Sequence, residues 1–318
     1  IYMGSTSGSG AGLASYAGTG RFRYNSTQSV QNYADLGTAT GLYVVLRQAP
    51  KLTVTATDAT MVYGAAPPTT ASVVSGFLNG DNASAAVTTA ATVTISGDKS
   101  SAGYWSVGSQ TLTPSNAYSP LGYGFTYVSG KLAVTAKPLT ITGLAAYDKP
   151  YDQSTAATIN ASGMVATGLM LNDDVRLDLT KSTATFADKN ASSTAKTVNL
   201  TNFYTGADLK NYSIVDQPTT TAKINPRDLT VWGTAAGKVY DGTTNVSSYQ
   251  LYSDKLAGDD VTLSATYASF VTKNVYRSGG AVAPAPVTIG GLSISGGDAS
   301  NYSLLNPSTQ TSATVTPK

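Results

Sequence analysis

The chain contains no cysteine and no histidine, and all eighteen of its acidic residues are aspartate, because glutamate is absent as well. Without cysteine there are no disulfides, no thiolate nucleophile and no zinc-thiolate or iron-sulfur centre. Without histidine the commonest general base and the commonest metal ligand are missing. Charge is scarce too: 12% of the 318 residues are Asp, Lys or Arg, about half the share in an ordinary soluble domain. The net charge of +2 comes from scattered Lys and Arg rather than from a basic face, which argues against nucleic acid as a partner. No run approaches the roughly 18 apolar residues of a membrane span, and Ile1-Tyr2-Met3-Gly4 does not open a signal peptide. A chain that starts on Ile reads as a processed or excised piece. An enzyme is the least expected reading, with no catalytic residue and no cofactor assigned.

What is abundant is Thr, Val, Ser, Gly and Tyr, a composition that favours pleated strands and tight turns over helices. The 41% apolar content suffices for a sizeable core, and the length suits two or three domains. Period-two alternation marks half-buried strands: Leu52 and Val54; Leu139 and Ile141; Val175, Leu177 and Leu179; Leu229 and Val231; Val261 and Leu263. No long amphipathic helix is visible, and "GADLKNY" from Gly206 is the best candidate for a short helical turn.

Self-similarity organises the chain. "KPLTITGLAAYDKPYDQSTAA" from Lys137 matches "PRDLTVWGTAAGKVYDGTTNV" from Pro226, with Tyr151-Asp152 against Tyr240-Asp241-Gly242. Asn172-Asp173-Asp174-Val175 then matches Gly258-Asp259-Asp260-Val261, and "GADLKNYSI" matches "GGDASNYSL". A diverged copy comes first, with Tyr63-Gly64 at the Tyr-Asp position and Tyr123 where Tyr212 and Tyr302 stand. The period is about ninety residues. Residues 1–50 lie outside it: a Gly/Ser/Ala run, then the strand candidates "RFRYNST" and "GLYVVLR", which complete a neighbouring fold, cap the first module or pair with another chain. The expected division is 1–50, 51–137, 138–225 and 226–318. Short joints stiffened by Pro138 and Pro226 predict a semi-rigid rod of roughly 100 Å, at about 30 Å per module.

With the copies aligned, "KVYDGTT", "AGDDVTL" and "GGDASNYSL" resemble the YDG module, and "MVYGAAPP" with "YGFTYVSGKLAVTAK" resembles the related MBG module. The resemblance implies mostly β, grasp-like modules from bacterial surface exoproteins of the filamentous haemagglutinin type, exported by two-partner secretion. Immunoglobulin-like sandwiches are the alternative fold. The implied role is a non-enzymatic extracellular stalk at the bacterial cell surface that mediates contact with a surface receptor, glycan or matrix component. Two other readings stand beside it: a filament subunit that self-associates by strand addition through residues 1–50, and a carbohydrate-binding module.

The candidate positions carry structural readings first. Asp241-Gly242 reads as a turn whose carboxylate takes nearby backbone N–H groups, with the Tyr240 ring buried and its hydroxyl on a polar partner. Tyr63, Gly64, Tyr151, Asp152, Tyr123, Tyr212 and Tyr302 are turn and corner positions of the same kind. The pairs Asp173-Asp174 and Asp259-Asp260 read as turns before strands, with calcium as the alternative because hard cations need several oxygen ligands. Asn211 and Asn301, together with Asn25, Asn82, Asn160, Asn190, Asn199 and Asn245, match the N-glycosylation acceptor pattern. Trp105, Trp232 and the twenty Tyr are assigned to core packing and ordinary Tyr-rich β surface, with a sugar-stacking face as the alternative. Gly8-Ser9-Gly10-Ala11-Gly12 reads as linker, not as a phosphate loop.

Overall fold

A computed structural model describes residues 2–3, 18, 20–34, 36 and 40–318. The linker-like run that includes Gly8-Ser9-Gly10-Ala11-Gly12 lies outside them. The chain is all-β: helix among the described residues is confined to Ala83–Ala86 and two single 3-10 turns, Leu209–Asn211 and Ala299–Asn301. The first of these turns falls within "GADLKNY".

Each repeat is built on the same two parallel pairings. Its opening strand lies beside the strand that begins at, or in the first repeat just after, the second corner tyrosine: Lys51–Ala56 beside Gly124–Val128, Lys137–Thr142 beside Tyr212–Val215, and Arg227–Leu229 beside Tyr302–Leu304. In each case the strand before the Tyr-Asp or Tyr-Gly corner lies beside the closing strand: Ala59–Val62 with Gly130–Thr135, Lys149–Pro150 with Ile224–Asn225, and Lys238–Val239 with Ser308–Thr316. Parallel neighbours need a long crossover, and here nearly the whole repeat supplies it. Antiparallel strands complete the second sheet, in the order Ala59–Val62, Gly130–Thr135, Gly108–Ser115, Thr92–Ser96 in the first repeat. The strands of each repeat are thus divided between sheets.

Alternation does the sorting. Along Lys51–Ala56 the side chains of Leu52, Val54 and Ala56 are buried, as are Leu132 and Val134 along Gly130–Thr135 and Leu112 on the neighbouring strand. In the later repeats Leu139, Phe186, Val198, Leu229, Val287, Ile289 and Val315 take these places. Full burial of each such side chain stabilises by about 1.5–3 kcal/mol. Gly76, at φ +103°, lets the strand Ala71–Ser75 leave the opening strand: a Cβ there would stand 2.3 Å from the Lys51 carbonyl oxygen.

Compactness does not follow the sequence period. One compact unit holds the described residues up to Thr140 together with Ala166–Arg176 and Tyr204–Val215; the other holds Ile141–Val165, Leu177–Phe203 and Asp216–Lys318. The second repeat therefore contributes its Asp-Asp turn and its Asn-Tyr turn to the first unit. Within that unit the segment ahead of the first repeat is part of the core. Phe22–Arg23 and Tyr2–Met3 flank Val44–Leu46 in parallel, and Phe22, Tyr24, Val44 and Leu46 form one buried cluster with Leu52, Ala86, Leu121 and Tyr123.

Candidate functional site

The recurring feature is a corner where one carboxylate holds two tyrosines. It begins with a turn that the sequence spells three times: Leu78-Asn79-Gly80-Asp81, Met170-Leu171-Asn172-Asp173 and Leu256-Ala257-Gly258-Asp259. In each, the Asp N–H donates to the carbonyl three residues back, at 2.9, 3.2 and 3.3 Å. The residue before the Asp has φ of +76°, +70° and +89° respectively, a conformation open to Gly and Asn at little cost. The turn leaves the N–H of its first residue pointing at a phenol. Leu78, Met170 and Leu256 donate to the hydroxyls of Tyr123, Tyr212 and Tyr302 at 3.0, 2.9 and 2.9 Å.

Each of these hydroxyls in turn donates to the Asp of the same turn, and a second tyrosine from the preceding segment joins it. Tyr123 and Tyr24 both donate to Asp81 Oδ2 at 2.9 Å. Tyr212 and Tyr63 both donate to Asp173 Oδ2, at 2.5 and 2.6 Å. Tyr302 donates to Asp259 Oδ2 at 2.6 Å and Tyr151 to Asp259 Oδ1 at 3.1 Å. The rings of each pair meet at centroid separations of 4.4, 5.4 and 5.7 Å, the latter two edge to face, an arrangement aromatic quadrupoles favour. Tyr24, Tyr63 and Tyr151 are essentially fully buried. Burial, reinforced by the adjacent carboxylate, pushes Tyr151 and Tyr302 up to about 12 and raises Tyr63 and Tyr212 further. Burial also pushes the Asp259 carboxyl up, but the hydrogen bonds from Tyr302, Gln153 and Tyr151 outweigh it and hold the group below its ordinary value.

The second Asp of each pair has a different task. The N–H of Asp174 donates to Asp208 Oδ2 at 2.9 Å, and the N–H of Asp260 donates to Asp298 Oδ2 at 3.0 Å. Asp260 Oδ2 accepts from the Gly297 N–H at 2.8 Å. The Asp-Asp turn is so stapled to the Asp-x-x-Asn-Tyr turn, which also receives the preceding segment. Asn211 Oδ1 accepts from the Val107 N–H at 2.9 Å, Asp208 Oδ1 from the Ser101 N–H at 3.1 Å, and Asn301 Oδ1 from the Ala191 N–H at 2.8 Å. Asn211 and Asn301 are at most 1% exposed, so these two acceptor sequences are closed to glycosylation in the folded protein. Among the described residues no group of three or more Asp could hold a metal ion; Asp173 Oδ2 and both oxygens of Asp259 accept from phenols.

The Tyr-Asp step itself is a lysine cradle. Lys238 Nζ donates to Asp241 Oδ1, the Thr243 carbonyl and the Asn245 carbonyl at 2.8–2.9 Å and lies 5.6 Å from the Phe270 ring centre. Lys149 repeats this with Asp152 at 2.7 Å, the Ser154 carbonyl at 2.8 Å and the Phe186 ring. Asp241 and Asp152 also accept the backbone N–H groups of Thr243 and Ser154, both at 2.9 Å. The hydrogen bonds from Lys238 and Thr243 draw Asp241 down to about 2. In the first repeat the cradle is replaced as a unit: Met61, buried, stands at the lysine position, and Gly64, at φ +83°, stands at the Asp position. Gly242 has φ +78°. Gln153, its counterpart, keeps a left-handed φ of +65° and sends its amide to Asp259 Oδ1 at 2.8 Å and the Ala257 carbonyl at 2.9 Å.

One position departs from the sequence reading, and one that it left open is settled. Tyr240 makes the same corner backbone bond as its counterparts, its N–H to the Thr316 carbonyl at 2.9 Å. Its ring, however, is only partly buried, because no Asp turn stands over it. Trp232 is 46% exposed and not in the core. It stacks on its cross-strand partner Tyr252 at 6.5 Å, on the rim of a groove of about 730 Å³ that also takes in Tyr249, Gln250 and Lys255. Trp105 is half-buried, with Lys99 Nζ 4.4 Å above its ring. Sequence reading missed Tyr24 and Asp81 altogether, although Leu-Asn-Gly-Asp at 78–81 is spelled almost like Leu-Ala-Gly-Asp at 256–259.

Comparison with known proteins agrees with the repeats. Residues 135–222 and 225–312 each match the family model described as the YDG domain, together more than half the chain, and residues 52–133 match that of the MBG domain of the YGX type. No curated protein matches the chain. Among solved structures, Drosophila N-cadherin EC1-3 is similar at 9% identity over 66% of this chain and 76% of that one, with a TM-score of 0.19. The N-terminal four Ig domains of Dscam1 isoform 1.9 give 10% identity over 88% and 75% with a TM-score of 0.18. The titin I9-I11 tandem gives 11% over 85% and 98% with a TM-score of 0.17. Likeness at these scores says nothing about fold or function.

The corner geometry sets an order of mutational cost. Asp259→Ala removes acceptors for three donors and lowers the unfolding free energy by about 3 kcal/mol or more, since each charge-assisted bond contributes about 1.5–3 kcal/mol. Tyr302→Phe costs about half of that, and Tyr240→Phe leaves the urea midpoint unchanged. Equal effects of Tyr302→Phe and Tyr240→Phe would refute the assignment.

The same groups set the pH limits. Tyr151 and Tyr302 have folded values above the unfolded value of about 10, so their contribution is complete below pH 10 and is lost as pH rises towards 12. Asp259 is depressed, so its contribution is complete above about pH 4 and is lost as pH falls through its folded value. Urea midpoints between pH 2 and 12, followed together with phenolate absorbance, are expected to hold level across neutral pH and to fall at both ends. Titration of every tyrosine near pH 10 in the folded chain would contradict the alkaline limb.

Proposed function

We propose, on the premise that this chain belongs to the YDG domain family and carries an MBG domain ahead of its two YDG domains, that it is a non-enzymatic stalk and adhesion segment of a bacterial surface exoprotein. MBG and YDG domains are repeat domains of surface adhesin-like proteins. In this reading the parent protein is of the filamentous haemagglutinin type, exported by two-partner secretion, and the segment presents a distal binding region to a receptor, glycan or matrix component outside the cell. No helix among the described residues is long and apolar enough to cross a membrane.

The observation that carries the proposal is the threefold use of one joint. Asp81, Asp173 and Asp259 each take a tyrosine from the sequence segment before them, and the chain passes from closing strand to opening strand within a residue or two, from Thr135 to Lys137 and from Asn225 to Arg227. Such a joint has little freedom to swing, because a tilt breaks charge-assisted hydrogen bonds and separates packed rings together. That is what a spacer requires, and it uses no nucleophile, base or metal.

A second reading is favoured by a single observation: the exposed Trp232–Tyr252 stack beside Tyr249 and Gln250, a groove where aromatic faces and an amide meet. It would take a sugar ring by stacking and hydrogen bonding. The filament alternative would use residues 1–50, whose described strands pair with each other and leave Tyr2–Met3 and Phe22–Arg23 as the edges of their sheet.

For the stalk, size-exclusion chromatography with small-angle scattering is expected to give a monomer at every concentration. Its radius of gyration is expected well above the roughly 20 Å of a compact chain of this length, with a maximum dimension near 100 Å. A compact particle would overturn the stalk, and growth into long species would favour the filament. For the groove, titration with soluble glycans is expected to shift tryptophan fluorescence in the native chain and not in Trp232→Ala; no shift with any glycan would dismiss the sugar reading.

A further inference from the structure

We infer that the Tyr240 corner is a docking site for a further repeat of this same class, one that offers an Asp turn and an Asn-Tyr turn as a pair. The inference rests on the serial reading above, but it concerns a different corner.

Four corner tyrosines follow one another along the chain: Tyr24, Tyr63, Tyr151 and Tyr240. Three of them have their hydroxyls on a carboxylate and their rings at most 1% exposed. Tyr240 holds the same backbone position as Tyr63 and Tyr151, since all three donate their N–H to the last strand of their repeat, at Thr135, Asn225 and Thr316, each at 2.9 Å. Around it the lysine cradle is complete, with Lys238 side-chain exposure at only 9%. Gly242, at φ +78°, has nothing within 4 Å of where a Cβ would stand, whereas Gln153 at the same place is engaged with Asp259. The corner is thus formed as a donor, and the acceptor alone is wanting.

A second copy of this chain does not supply that acceptor. Each of its three Asp turns already holds a tyrosine of its own chain: Asp81 holds Tyr24, Asp173 holds Tyr63 and Asp259 holds Tyr151. The occupant we infer is therefore a repeat whose Asp turn is still empty. The Thr316 carbonyl accepts from the Tyr240 N–H as the Asn225 carbonyl accepts from the Tyr151 N–H, so the closing strand meets both corners alike.

The test extends the chain by a duplicate of residues 228–318 joined directly after Lys318, which reproduces the step from Arg227 to Asp228. Tyrosine nitration with tetranitromethane, read by peptide mass mapping, reports each phenol separately. In the chain as it is, Tyr240 is expected to be nitrated while Tyr63 and Tyr151 are spared. In the extended chain Tyr240 is expected to be slowed by about tenfold or more, as for a site exposed only on transient opening. Asp259→Ala in the added copy is expected to restore its nitration. Nitration of Tyr240 at the same rate in both chains, while Tyr302 of the added copy is protected, would overturn the proposal. A second extension with residues 138–225 guards against misfolding of the first. If neither addition folds on the corner, although both sequences fold in their own places, the corner does not accept a repeat and the proposal falls. Scattering tests the stalk on the unextended chain, so the two readings fail separately.

Discussion

A carboxylate shared between two phenols is the interaction on which the rest of this structure depends. Burying an ionised Asp is costly unless donors surround it, and the chain supplies them from two separated stretches of sequence. Neither stretch satisfies the group by itself: Tyr302 leaves Asp259 Oδ1 to Tyr151 and Gln153. The joint is therefore close to all or none, because a partner that arrives out of register leaves a buried charge short of donors. An apolar contact of the same area would tolerate sliding and rotation; this one does not.

The surrounding features follow from that demand. The turn before each Asp needs a left-handed residue, and Gly80, Asn172 and Gly258 supply it. The same turn aims a backbone N–H at the phenol oxygen, so the tyrosine that donates to the Asp also has its own lone pair occupied. The second Asp of each pair fixes this turn to the Asn-Tyr turn, and buried Asn211 and Asn301 catch a loop of the preceding segment. Compact units that cut across the sequence period are the consequence: the contacts at a corner tie the end of one repeat to the middle of the next.

Much of this was legible in the sequence, and the limit has a physical cause. Strand identity and repeat length were readable because period-two alternation and turn residues are local properties, and Leu139, Leu229 and their neighbours sit buried where alternation puts them. The Tyr-Asp corner is visible as a repeated pair, and its Asp has local partners only, a lysine three residues before it and the backbone N–H two residues after it. The working group is the Tyr, whose partner lies 108 or 110 residues further on, and no local pattern reports a contact at that separation. Tyr24 escaped because its segment lies outside the period, and Asp81 because it lacks a second Asp: Asn82 stands there and caps the short helix Ala83–Ala86. For Trp232 the sequence leaves core and surface both open, because composition cannot tell which face of a strand is covered.

The copies also differ in ways that grade the joints. Asp259 Oδ1 accepts from both Tyr151 and Gln153, whereas Asp173 Oδ1 is buried with no hydrogen-bond partner. The difference has two sources: Tyr63 donates to Asp173 Oδ2 where Tyr151 donates to Asp259 Oδ1, and the second residue after the corner tyrosine is Ala65 in one case and Gln153 in the other. A glutamine at φ +65° gives up roughly 1 kcal/mol or more of backbone strain that glycine would avoid. Its two amide hydrogen bonds, one of them to a charged oxygen, outweigh that cost. The loss of the turn glycine in "PYDQ" is therefore a reinforcement and not a decay of the motif. The corner at Asp173 has one donor fewer, and under a common load it has less to hold it closed than the corner at Asp259.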